Sequence, residues 1–322
     1  MHLENVFFIM NFVDSKINEA ENNKITPKLV EEFTLKLKSL SNSDFIEVLI
    51  TCFIPDIYVD NGKKEKLYTK LVEVLVGEWW RRMGGTYNLP TKKSGREDVE
   101  IIYESKSIVC DAKTFRLGRS QKAPNVKDFL KLASVKTWMV NLEKTYIANN
   151  KEQNIIGGLV TYSSLHEWNG ESEVYEECSN KDIPVLMLPY ELLAILLIKR
   201  DGYNIEDLFK LWQYERIFPC STRSKVKYWM KVKKLIIEIT KLDEAEYIKL
   251  LTEYQKIILL SVEQYKSLIL KNIENNRQII EDEMNSFSSH EEMKKYAIDR
   301  ISDMVNQDNR VYLERIDKYR NY

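Results

Sequence analysis

Asp98, Asp111 and Lys113 have the residue types and spacing for metal-assisted hydrolysis. Two carboxylates held at close range repel unless something positive lies between them. A divalent cation resolves that conflict, and carboxylate oxygens together with water and phosphate oxygens suit Mg²⁺. An ammonium two residues beyond the second acid can hold or deprotonate a water. It can also offset charge on a phosphorane-like transition state. The pattern has low specificity alone: among 49 acidic and 48 Lys plus Arg residues, chance Asp-x-Lys matches are expected. A surface hairpin with solvated charges would carry the same letters.

The elements around these residues make the convergence physical. Val99, Ile101 and Tyr103 alternate with Asp98 and Glu100, and residues 107–113 form a second apolar, β-branched run. If the chain turns at Glu104-Ser105, opposed residue numbers sum to 209 and Asp98 faces Asp111. Cross-strand partners have Cβ atoms about 5 Å apart. Alternation puts Asp111 and Lys113 on one face and points Ala112 to the other. Glu97 competes for the role of first carboxylate, but this register turns it to the opposite side.

The wider chain supplies a frame. At 322 residues it can bury a large core. A net charge of −1 does not single out a nucleic-acid partner, but local stripes do better. Lys113, Arg116, Arg119, Lys122, Lys127, Lys131 and Lys136 face one acid, Asp128; a second basic run follows Pro219. Cys52, Cys110, Cys178 and Cys220 lack metal-ligand spacing and fit reduced thiols in a cytoplasmic setting. No signal peptide or run of membrane length is expected. Helices are expected over residues 2–21, from Thr26-Pro27, from a Ser43-Asp44 cap, over 65–83, over 126–144 and over 190–199. Trp79 and Trp80 read as core, and residues 84–95 as a basic loop. Strands are expected at 155–162, which contains a Gly pair, and at 184–188; beyond Asn204 the pattern is nearly all helical.

The stretch DAKTFRLGR at 111–119, followed by KDF at 127–129, closely resembles the HindIII family of type II restriction endonucleases. EKLYTK at 65–70, YELLAILL at 190–197 and Leu211-Trp212 before Phe218-Pro219 extend the likeness in order along the chain. The resemblance implies a PD-(D/E)xK nuclease core: a predominantly helical α/β fold with a small mixed β-sheet, elaborated by N- and C-terminal helices. It implies one domain over 1–322, with N-terminal helices in 1–62, the catalytic core in 63–219 and a helical region in 220–322.

The implied activity is Mg²⁺-dependent hydrolysis of double-stranded DNA at a short palindrome, leaving 5′-phosphates. Asp98, Asp111 and the Ala112 carbonyl would hold the metal, and Lys113 would act on the attacking water. Arg116, Arg119, Asn125, Lys127 and Asp128 would contact DNA. AAGCTT is the leading target, although residues 122–125 depart from the family in length where base contacts are expected. A palindrome implies a homodimer, and a cognate methyltransferase is expected in the same system without being a stable subunit. The rival readings are a catalytically silent DNA-binding protein of the same fold and a helical interaction protein.

Overall fold

The computed structural model describes residues 2–19, 27–55, 58, 61–90, 97–114, 132–163, 175, 178, 184–213, 216 and 224–304. The chain divides into two compact units, Met1–Glu263 and Gln264–Tyr322.

In the first unit the N-terminal helices are α1 (Leu3–Val6), α2 (Phe8–Lys16), α3 (Pro27–Ser39) and α4 (Asn42–Ile50). The expected first helix is broken at Phe7, whose φ of −101° and ψ of 12° leave the helical basin. Ser41, not Ser43-Asp44, caps α4: its side chain accepts from the Asp44 amide. Helix α5 (Gly62–Arg82) is capped by Asn61, and its last turn carries Arg81 and Arg82, favourable beside exposed helix carbonyls. Both tryptophans of α5 are buried, and their indoles donate to the Leu193 carbonyl (Trp79, 2.9 Å) and the Ile102 carbonyl (Trp80, 2.8 Å).

A five-stranded mixed sheet forms the centre, in the order β1 (Thr86–Asn88), β2 (Val99–Tyr103), β3 (Lys106–Ala112), β4 (Asn154–Tyr162) and β5 (Val185–Pro189). The first three strands are antiparallel; β3, β4 and β5 run parallel. Residues 86–88 thus form an edge strand where a loop was expected, paired with β2 through Tyr87 and Ile101. Further helices described in this unit are α6 (Leu132–Ala148), α7 (Tyr190–Ile198), α8 (Lys225–Thr240) and the first part of α9 (Glu244–Asn285). Residues 205–212 form a 3-10 helix.

The two faces of the sheet are covered differently. Tyr87 pairs with Ile101 and closes on Gly77 of α5, where an added Cβ would lie 2.5 Å from its ring. Helix α5 therefore covers the face carrying Ile101. On the opposite face Val135 of α6 approaches Gly158, and the Tyr146 hydroxyl bonds Ser107 Oγ (2.8 Å) and Glu100. Glu100 shares that face with Asp98 by strand alternation.

The second unit contains the end of α9 and a helix over 290–304. The Phe287 and Tyr296 rings pack at 5.0 Å, and the Tyr296 hydroxyl bonds Glu283. Leu270, Ile273, Ile280, Ile298 and Ile301 are exposed. Among the described residues no helix is long and apolar enough to cross a membrane.

Candidate active site

The β2–β3 hairpin adopts the register in which opposed residues sum to 209: Val99 pairs with Cys110 and Tyr103 with Lys106. The Asp98 amide leaves this register by one residue, donating to the carbonyl of Cys110, the partner of Val99, at 3.1 Å. The regular pairing stops at Val99 and Cys110, so the expected ladder pair of Asp98 with Asp111 does not form, and Asp98 lies just beyond the paired residues at the open end of the hairpin. Its carboxylate turns back to accept from the Ala112 amide, 3.1 Å from Oδ2.

Asp111 has no exposed surface, and Lys113 Nζ lies 2.6 Å from its Oδ1. That contact is an ion pair without hydrogen-bond alignment. Among the described residues both Asp111 oxygens lack a hydrogen-bond donor. Such a buried carboxylate is costly. Asp98 adds to the conflict. Part of its surface is accessible, yet enclosure by protein raises its carboxyl well above the usual range; the charges of Glu73 and Asp111 add to the rise, and Lys113 opposes it. Burial likewise raises the Cys110 thiol, which makes it a core group rather than a nucleophile.

The end of β3 is held from the β4 side. The Lys113 amide donates to the Thr161 carbonyl at 2.7 Å, and its carbonyl accepts from the Tyr190 hydroxyl at 2.8 Å. Thr114 Oγ1 donates to the Cys52 carbonyl at 2.6 Å, and Ser163 Oγ reaches the same oxygen at 3.2 Å. Because amide and carbonyl of one strand residue point the same way, the Ala112 carbonyl is directed with its amide toward the Asp98 side.

A family model described as HindIII restriction endonuclease matches residues 14–294. The chain belongs to the HindIII restriction endonuclease family. Among solved structures it is similar to the small subunit of a heterodimeric restriction endonuclease, at 13% identity and a TM-score of 0.31, over 66% of this chain and 98% of that one. No curated protein matches.

On this HindIII-family chain, the structure brings together Asp98, Asp111, Ala112 and Lys113. Glu97 is buried just outside the paired strand. Arg116, Arg119, Asn125, Lys127 and Asp128 lie outside the described residues. Two residues were missed from the sequence. Glu73 is a buried acid of α5 that pairs with Lys70 and acts electrostatically on Asp98 and Cys110. Its signal was an acid embedded in the apolar run from Leu71 to Val76. Tyr190 gave no signal beyond its place in the YELLAILL stretch.

Among the described residues no cluster of three or more His, Cys, Asp or Glu is arranged to hold a metal. The site instead offers two neighbouring carboxylates, one whose oxygens accept no aligned hydrogen bond among the described residues, and a main-chain carbonyl. Such a set fits Mg²⁺, which usually takes one or two carboxylates and completes its shell with water and substrate phosphate.

Proposed function

We propose that this protein is a type II restriction endodeoxyribonuclease with a PD-(D/E)xK core, which hydrolyses double-stranded DNA in the presence of Mg²⁺. The observation that carries the reading is the convergence of three groups at the end of β3: the Asp98 carboxylate on the Ala112 amide, the adjacent Asp111 carboxylate, and Lys113 Nζ 2.6 Å from Asp111 Oδ1. Family membership supports DNA as the substrate.

Asp98, Asp111 and the Ala112 carbonyl would hold the ion, which when bound supplies charge relief at the scissile phosphate. Asp111 also holds the Lys113 ammonium at the site. Lys113 orients the attacking water and offsets charge on the pentacovalent transition state. No covalent enzyme intermediate is needed, and the products carry 5′-phosphates. Arg116 and Arg119 contact the DNA backbone, while Asn125, Lys127 and Asp128 read bases. AAGCTT is the leading target. The working form is a cytoplasmic homodimer, one subunit per strand, paired in its system with a separate cognate methyltransferase.

Plasmid digestion tests the reading. Cleavage with Mg²⁺ and none with EDTA is expected, and sequencing of the ends identifies the target. Asp111→Ala or Lys113→Ala should lower cleavage by several orders of magnitude while the fold survives. A pure variant that cuts at the wild-type rate would show that the site is misassigned. Salt-dependent DNA binding without cleavage by the wild type would favour the silent binding protein.

A further inference from the structure

Lys113 is the residue of the site with the longest, most mobile side chain, so the position of its ammonium depends on how firmly its main chain is held. It follows the last residue of β3, where the β2 partner has ended. On the β4 side, however, both of its main-chain groups are bonded: the amide to Thr161 and the carbonyl to Tyr190. The first bond belongs to the parallel ladder. The second comes from a side chain 77 residues away, with no exposed surface, at the first position of α7. Pro189, the N-cap of α7, is the last residue of β5 and pairs with Tyr162. The phenol therefore projects from a backbone fixed by the sheet itself.

We propose that Tyr190 is a positioning residue for the reaction: its hydroxyl clamps the Lys113 peptide and thereby sets where the ammonium stands beside Asp111. The inference rests on the nuclease reading. If Tyr190 served the core alone, removal of its hydroxyl would lower stability without separating binding from chemistry. As a clamp it acts on the chemical step, because a misplacement of about 1 Å can cost roughly a hundredfold in rate.

The test is Tyr190→Phe, which keeps the ring and removes one oxygen. Single-turnover cleavage with saturating protein and Mg²⁺ should fall roughly tenfold to a hundredfold. Affinity for the cognate duplex in Ca²⁺ should stay within about twofold of wild type. Amide hydrogen exchange at Lys113 should accelerate relative to the other β3 amides. An unchanged cleavage rate overturns the proposal, as does a rate loss matched by an equal loss of binding in Ca²⁺. If the wild type itself does not cut, the nuclease reading fails. The exchange measurement then decides the clamp separately, and unchanged exchange at Lys113 removes it.

Discussion

Asp111 is buried with the Lys113 ammonium beside it and, among the described residues, no aligned hydrogen-bond donor, which is where folding alone would not put a carboxylate. Asp111→Asn should therefore raise the melting temperature of the metal-free protein, by about 2 °C for each kcal/mol recovered in a chain of this size. Mg²⁺ should stabilise the wild type and leave Asp111→Asn nearly unchanged. Thermal melts with EDTA and with Mg²⁺ check both; a lower melting temperature for the variant in EDTA would mean that the Lys113 pair outweighs the repulsion. The hairpin register from Val99–Cys110 to Tyr103–Lys106 was legible because strand alternation and a two-residue turn leave one register that keeps Val99, Ile101, Ile108 and Cys110 inside, whereas the departure of the Asp98 amide from it was not. Glu73 was not, because helical periodicity shows that an acid sits among apolar residues without showing what it faces. Base reading is tested at Asn125: Asn125→Ala should lower the ratio of specific to non-specific binding in Ca²⁺ by roughly 1–3 kcal/mol. Equal weakening of both kinds of binding would reduce Asn125 to a phosphate contact.

Elements with strong local signals were readable, and those made by tertiary pairing were not. Helix α5 has recurrent apolar positions; β2, β3 and β4 are rich in β-branched residues and β5 is a short apolar run, all near their expected bounds. Strand β1 has three residues after two glycines, and only the exposed edge of β2 makes it a strand. The Gly pair in β4 has a packing reason. A Cβ on Gly157 would lie 2.4 Å from the Trp212 ring and 2.6 Å from the Pro184 carbonyl. Gly157→Ala should cost about 1–3 kcal/mol, the usual range for overpacking, measured by urea unfolding; a variant as stable as wild type would show that Trp212 can move aside. The hairpin turn carries the opposite opportunity. Glu104 has φ of 50°, a left-handed conformation that Asn tolerates better. Glu104→Asn should raise stability by up to about 1 kcal/mol without changing cleavage, as read by melts and plasmid digestion.

At the scale of the whole molecule, the family match over residues 14–294 reaches into both compact units. The proposed palindromic target would call for two-fold symmetry, and Ile273 and Ile280 on α9 are exposed apolar residues. Sedimentation of the DNA complex should give two subunits per duplex. Ile273→Asp combined with Ile280→Asp should weaken that assembly and leave the far-UV helix signal in place. One subunit per duplex for the wild type would contradict the dimer. Sequence could propose the dimer only through the target's symmetry, because apolar spacing on α9 does not distinguish packing within a chain from packing between chains.

The hairpin that builds the site is local, whereas the parallel pairing of β3 with β4 must wait for the crossover between residues 112 and 154. Local hairpins close in about 1–10 μs, and contacts of long loop closure come later. This order predicts that Asp98 and Asp111 approach early, before α7 and Tyr190 hold the Lys113 end. On that order, the repulsion between them would belong to the folding barrier as well as to the native state. Asp111→Asn should therefore speed refolding, with little change in the unfolding rate. Stopped-flow chevrons in EDTA would show the gain on the refolding arm; a gain confined to slower unfolding would mean that the two acids meet only after the barrier.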